Sequence, residues 1–482
     1  MSELENKAMR SMAWVAIEKF GNQTLHFVIG VLLARLLLPS DYGMIGMLAI
    51  FNALASVFVD SGFGNALIQK TNRTHDDYST VFYFNFLISL FVYVLLYMLS
   101  SPIAVFYNMP DLRPVARVFF LCLIINALRS IHSVRFRILL NFKLQTKIAL
   151  ISTLTSGLVG LLAAYNGLGV WALVVQTITS STLSCMLYWI TAGWPPFGKF
   201  SINSFQSLFS FGSKLLGANI INTLTRNIYS LAIGKYYSSY VLGLYTRAEH
   251  FSDLPASMTT SMINKVNYPI LVKFQNDDKQ LKAVYIKLLR TPIFLLFPVL
   301  VMISALSKPL VTLLLGERWV ECSPIMTILA LGFLFFPLST TNLNLLYVKG
   351  RSDLVLKLEF MKKPMLLFLL GITLPFGIIW VGVGRAFYSL FAFFVNCHYT
   401  DKILGYGWKE QIKELLPVFC FSIIAYLVAS ISLLLSSLPI IQLVLGFSLG
   451  SLSYLMCSYL TNDQSLKEIA HVIKNCNLLK NG

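Results

Sequence analysis

Long apolar stretches, separated by short polar ones, make up nearly the whole of this 482-residue chain. Fourteen of them can be marked off, near residues 11–34, 43–68, 79–100, 114–134, 147–165, 169–191, 206–234, 241–264, 283–306, 322–347, 354–374, 376–398, 414–436 and 438–460. Each comes close to the about 20 residues that a helix needs to cross the hydrocarbon of a bilayer. The pattern predicts an all-α polytopic membrane protein with about 14 transmembrane helices. The first, seventh and eighth stretches hold enough polar residues for a plain hydropathy profile to pass over them. Between the first two lies Pro39-Ser40-Asp41-Tyr42-Gly43, which reads as a tight helix–helix connection because Pro and Gly end helices.

Charge placed on that pattern gives it a direction. With the N-terminus in the cytoplasm, 25 Lys and Arg fall in the tails and loops of one side and 5 on the other, namely Arg35, Arg113, Lys235, Lys308 and Arg318. Basic residues collect on the cytoplasmic side, so the asymmetry predicts an N-in, C-in topology with an even number of spans. One missing span would scramble it.

Composition narrows the class. The chain is 56% hydrophobic and 12% charged, about half the charge of an average soluble domain. Its net charge of +17 is accounted for by the basic cytoplasmic loops, and no basic run with interleaved aromatics stands apart to bind nucleic acid. The seven cysteines are scattered without a CxxC pair, which predicts neither a disulfide framework nor a metal site. The N-terminal residues, interrupted by Glu3, Glu5, Glu18 and Lys19, do not form a signal peptide. Every connection is too short for a folded soluble domain. That leaves no place for catalytic residues outside the membrane and argues against an enzyme.

An internal repeat appears at an offset of 200 residues: Asn22 matches Asn222, His26 matches Arg226, Arg35 matches Lys235, and Gly43 matches Gly243. The interval holds six spans, an even number. Two copies would therefore point the same way, related by an axis along the membrane normal. The expected organisation is an N-lobe of spans 1–6 (residues 1–200), a C-lobe of spans 7–12 (201–403), and spans 13–14 with a cytoplasmic tail (404–482).

Charges inside the spans are the candidate chemistry, since each costs roughly 3 kcal/mol at a span centre on insertion scales. Helical spacing puts Lys19, Asn22, Gln23 and His26 on one face of span 1, and Asn219, Asn222, Thr223 and Arg226 on one face of span 7. On span 8, Arg247 and His250 point one way, Glu249 and Asp253 the other. Asp60 lies deep in the second span. These charges either pair to hold the bundle together or line a hydrated cationic cavity suited to an anion such as a diphosphate. The cavity reading assigns substrate binding to Lys19, Asn22, His26, Asn222, Arg226 and Arg247. Arg117, Arg129, Lys214, Arg290 and Arg385 lie near span ends, where they are expected to snorkel. Pro292, Pro298, Pro324, Pro337 and Pro375 are tolerated in a bundle or mark kinks.

The stretch from Ala34 to Lys70 carries a resemblance. Ala34-Arg35-Leu36-Leu37, Pro39, Asp41-Tyr42-Gly43, Asp60-Ser61-Gly62 and Ala66-Leu67-Ile68-Gln69 resemble the start of bacterial polysaccharide flippases. These are the Wzx-type transporters of the multidrug/oligosaccharidyl-lipid/polysaccharide exporter superfamily. The resemblance implies two facing six-helix lobes, with spans 13 and 14 adding a groove for a lipid tail. It implies movement of an undecaprenyl-diphosphate-linked oligosaccharide across the cytoplasmic (inner) membrane by alternating access, for surface polysaccharide such as O-antigen. The partners it implies are that lipid-linked oligosaccharide, membrane lipid, and the polymerase or ligase machinery of the pathway. No cofactor is implied beyond a coupling ion, H+ or Na+, for which Asp60, Glu249, His250 and Asp253 are the titratable candidates along with His26. Two other classes stay open: a multidrug exporter of the superfamily, which the cationic faces disfavour, and a polymerase or ligase, which the missing outer loop disfavours.

Overall fold

The computed structural model describes residues 3–60 and 62–469. Among these every regular element is helical, and the chain divides into two compact units, residues up to 243 and residues from 244. The first unit holds α1 (Glu3–Leu36), α2 (Pro39–Asp60), α3 (Phe63–Gln69), α4 (His75–Phe106), α5 (Leu112–Phe119), α6 (Leu121–Ile138), α7 (Phe142–Tyr165), α8 (Val170–Ala192), α9 (Ile202–Tyr236) and the first residues of α10 (Ser239–Lys273). The second holds the rest of α10, then α11 (Asp278–Ala305), α12 (Ser307–Leu314), α13 (Cys322–Phe333), α14 (Phe335–Val348), α15 (Ser352–Thr373), α16 (Ile378–Leu404), α17 (Trp408–Leu435) and α18 (Pro439–Leu460).

Each apolar stretch falls on helix, the second, fourth and tenth as broken pairs. Among the described residues, ten helical segments are long and apolar enough to cross a membrane. Four more helices, α1, α9, α10 and α15, have 34, 35, 35 and 22 residues. At 1.5 Å per residue even the shortest reaches about 33 Å, enough for a hydrocarbon core of about 30 Å. Their charges lower their hydropathy, as expected for the first, seventh and eighth stretches. In α15 the same is done by Lys357, Glu359, Lys362 and Lys363. Large apolar side chains stand bare on the helix surfaces, Leu434 88% and Met98 71% exposed among them, a pattern that needs lipid around it.

The first turn of the chain differs from its sequence reading. Pro39 to Gly43 do not form the connection; they open α2, and only Leu37 and Leu38 link the helices. Proline is well placed at the first helical position, where its missing N–H would have no partner anyway. Asp41, at the third position, accepts the Leu38 backbone N–H at 2.9 Å and sits favourably at the positive end of the helix. Gly62, with φ of 72°, takes a left-handed conformation open to glycine and starts α3. The far end of α3 is capped by Arg73, which donates to the Leu67 and Ile68 carbonyls at 2.7 and 2.6 Å. A Thr74–Asp77 capping box then begins α4, with Lys70 on Asp77 at 2.7 Å.

In the first unit α1 packs on α7, α7 on α8, and α9 on α2. Lys235, at the end of α9, donates to the Phe106 carbonyl at 2.6 Å, closing off the negative end of α4. Lipid is as apolar as leucine, so within a membrane close fit and internal hydrogen bonds hold helices together. The second unit shows both. Gly446 and Gly450 of α18 face Ser432, Ala425 and Ala429 of α17, a seam of small residues that brings the two backbones close. Between α11, α14, α16 and α17 lies a fully buried polar knot. Asn342 Oδ1 accepts from Tyr285 Oη at 3.0 Å, Thr400 Oγ1 at 2.7 Å and Gln411 Nε2 at 2.9 Å, and Asn342 Nδ2 donates to Gln411 Oε1 at 3.1 Å.

Candidate functional site

The helix faces expected to carry substrate contacts are placed as follows. On α1, Lys19 and His26 are exposed, while Asn22 at the edge of the same face accepts from Thr153 Oγ1 of α7 at 3.0 Å. On α9, Asn222 and Arg226 are exposed. On α10, in the second unit, Arg247, Glu249 and Asp253 are half-buried and His250 is exposed. Glu249 lies 3.6 Å from Arg385 of α16.

Of the five basic residues expected to snorkel, four have partners inside the protein. Arg385 pairs with Glu249. Arg117 donates to Ser100 Oγ at 3.0 Å and lies over the Tyr97 ring, 4.3 Å from its centre. Arg290 of α11 pairs with Glu414 of α17 at 2.6 Å and with Asp463, just past α18, at 2.5 Å. Arg129 donates to Asn126 Oδ1 at 2.9 Å and Ser184 Oγ at 3.4 Å. The fifth, the Lys214 side chain, lies outside the described residues. Near a span end a basic side chain can reach water, but an acceptor on a neighbouring helix competes for it, and here the acceptor wins.

Arg129 leads to a site the sequence reading passed over. A cavity of about 220 Å³ opens within the first unit between α2, α3, α4 and α6, lined by Asp60, Arg129, Arg137, Asn85, Asn126 and several serines. Two polar stripes and a single amide meet there. Ser56 and Asp60 are one turn apart on α2; Asn126, Arg129, Ser130, Ser133 and Arg137 follow one face of α6; and Asn85 comes from α4. Gly64 of α3 lies beside it, where an added Cβ would reach Asp60 Oδ1 at 3.4 Å. Two guanidinium groups against one carboxylate give the lining an excess of one positive charge. Guanidinium groups only donate hydrogen bonds and a carboxylate only accepts them, so the walls offer both kinds of partner to a polar guest. Asp60 was legible as an acid deep in an apolar stretch. The stripe on α6 was legible too, as polar residues at helical spacing, and Asn85 as a lone amide in the apolar run of α4.

The fold has a counterpart among solved structures. The helices superpose on the solved lipid II flippase MurJ in its inward closed conformation with a TM-score of 0.76, covering 92% of this chain and 98% of that one at 16% identity. The chain is thus a multi-pass protein of the inner membrane with a MurJ-like helical fold. Residues 32–324 match the family described as polysaccharide biosynthesis protein, and the chain belongs to that family. It is 25% identical over 441 residues to the lipopolysaccharide biosynthesis protein WzxC of Escherichia coli, covering 87% of this chain and 86% of the relative. It is 24% identical over 356 residues to the teichuronic acid biosynthesis protein TuaB of Bacillus subtilis, covering 73% and 74%.

Proposed function

We propose that the protein is a flippase that carries an undecaprenyl-diphosphate-linked oligosaccharide from the cytoplasmic to the outer leaflet for surface polysaccharide synthesis. The observation that carries this reading is the charged, hydrogen-bonding cavity of Asp60, Arg129 and Arg137 inside a bundle of apolar helices. Charged side chains among apolar helices are expensive and mark a path for polar cargo. Family membership and the names of WzxC and TuaB point to a cargo of polysaccharide precursors. In this reading the chain crosses the membrane fourteen times with both ends in the cytoplasm, supported by the asymmetry of basic residues. Lys19 and Arg226, joined by His26 when it is protonated, supply cations for the diphosphate. Transport is driven by a proton or sodium gradient, for which Glu249 beside Arg385, with Asp253 one turn on, is the acid best placed to respond.

The test is complementation. A bacterial strain lacking its own polysaccharide flippase, supplied with the matching glycan pathway and this gene, should regain surface glycan. Arg226→Ala should abolish export at normal protein abundance, and Arg226→Lys should restore part of it, because lysine keeps the charge but not the two-pronged contact. A wild-type protein that inserts normally and restores no surface glycan, with every partner enzyme present, would sink the reading.

A further inference from the structure

The cavity between α2, α3, α4 and α6 has a feature that points to what it holds. Asn85 is 2% exposed and lines the cavity. Its Nδ2 donates to Ser130 Oγ at 3.3 Å, and Ser130 Oγ spends its own hydrogen on the Ala127 carbonyl at 2.8 Å. Ser130 can therefore only accept from Asn85, which fixes the orientation of the amide. The other amide atom, Asn85 Oδ1, is buried and has no hydrogen-bond partner. A buried acceptor left unmet is costly, so the position calls for a guest that donates. Asp60, on the facing stripe, is likewise an acceptor. Arg129 and Arg137 are donors, and they outnumber the carboxylate.

A guest that answers all four groups must donate hydrogen bonds, accept them, and bear a negative charge. Inorganic phosphate accepts well, but at neutral pH it keeps only one or two P–OH donors to share between Asn85 Oδ1 and Asp60, and it would be repelled by the carboxylate. A neutral sugar donates and accepts but leaves one guanidinium without a counter-charge. At about 220 Å³ the cavity is smaller than the roughly 300–1,000 Å³ of pockets for drug-sized ligands, a size for one ring rather than a chain. We propose that this cavity is a subsite for a single pyranose unit carrying an anionic group, its hydroxyls donating to Asp60 and Asn85 Oδ1 and its anionic group taken by Arg129 and Arg137. This names part of the cargo and rests on the flippase reading. The anionic group is either a uronate carboxylate within the glycan or the phosphate that joins the first sugar to the lipid.

The test uses the full chain in lipid nanodiscs and follows its thermal unfolding with millimolar glucuronic acid, glucose 1-phosphate, glucose or inorganic phosphate. A guest that binds only the folded protein raises the melting temperature with concentration. One of the two anionic sugars should protect, glucuronic acid if the source is a uronate and glucose 1-phosphate if it is the linking phosphate. Glucose and inorganic phosphate should each protect at least tenfold less effectively. Asn85→Leu, which removes the unmet acceptor at similar volume, should weaken sugar protection about tenfold while leaving the unliganded melting temperature equal or higher. Should Asn85→Leu fail to fold, Asp60→Asn on the cavity wall serves: preference for the anionic sugar over inorganic phosphate should fall about tenfold. Protection by none of the four probes, equal protection by inorganic phosphate, or undiminished protection in both variants would overturn the subsite. Complementation separates this failure from that of the wider reading. Glycan export without sugar protection removes only the subsite, and sugar protection without export removes only the flippase.

Discussion

Gly43 and Gly243 face each other across a reciprocal contact. A Cβ on Gly43 would run into the Ser239 carbonyl at the start of α10, and a Cβ on Gly243 would run into the Pro39 carbonyl at the start of α2. All four positions are related by the 200-residue offset. When two copies of a motif meet so that each does to the other what is done to it, the contact has two-fold character. Only glycine lets the two helix starts come this close, where Cα–H groups can approach carbonyl oxygens.

Gly43→Ala and Gly243→Ala should therefore each destabilise the protein by about 1–3 kcal/mol, since backbone rather than a flexible side chain must move. The double variant should cost less than the sum, because both methyl groups press on one contact. Gly371→Ala is the control. Nothing lies within 4 Å of a Cβ there, and exchanging glycine for alanine inside a helix should gain about 0.5–1 kcal/mol. Thermal unfolding of purified protein measures all four. Wild-type melting in both contact variants would show that the helices do not cross so closely.

The buried knot at Asn342 makes a second prediction. One oxygen takes hydrogen bonds from Tyr285, Thr400 and Gln411, so Asn342→Leu strands several buried donors at once. With about 1–3 kcal/mol for each unmet buried group, and losses that overlap, the variant should lose about 3 kcal/mol. Gln411→Leu should cost less, because Tyr285 and Thr400 keep their acceptor. If the two variants melt alike, Asn342 is not the centre of the knot.

Arg290 ties three parts of the second unit together, and its removal leaves Asp463, 2% exposed at the side chain, without its counter-charge and with only the Ser465 backbone N–H on its carboxylate. Arg290→Met should destabilise by about 3 kcal/mol, as expected when one half of a buried ion pair is deleted. Adding Asp463→Leu should recover part of that loss, since the stranded charge is then gone. A double variant less stable than Arg290→Met alone would show that the hydrogen bond from the Ser465 N–H outweighs the cost of the stranded charge.

Topology can be read by labelling. Single cysteines in residues 69–78, 135–147, 265–287 and 348–363 should resist membrane-impermeant thiol reagents in intact cells, whereas cysteines near Asp111 and Lys308 should react. Reaction from outside at any two of the first four sites would end the fourteen-span arrangement.

The helices were legible because apolar runs of the length of a bilayer have few alternatives, and the interrupted ones, α1, α9 and α10, were recoverable from their placement between basic loops. The link after α1 was misread because proline is as much a helix opener as a helix breaker, and position alone decides. The charged cavity was half legible. Asp60 announced itself as an acid within an apolar stretch, but Arg129, so near a span end, passed for a residue reaching to water. Its partner Ser184 lies on another helix 55 residues on, and no local pattern encodes that meeting. Arg290 and Asp463 are 173 residues apart, and their pairing exists only once the helices are packed.

The anchoring of Asp463 bears on how the protein is handled. Glu468 takes Lys287 at 3.3 Å and Thr291 Oγ1 at 3.3 Å, so residues 463–468 are fastened along one side of α11. A fluorescent or enzymatic reporter spliced in directly after Leu460 would cut this fastening away and leave Arg290 to face Glu414 alone. Such a fusion would register poor insertion or rapid degradation and invite the conclusion that the last span is misassigned. Joined beyond Glu468, the same reporter would give the true orientation.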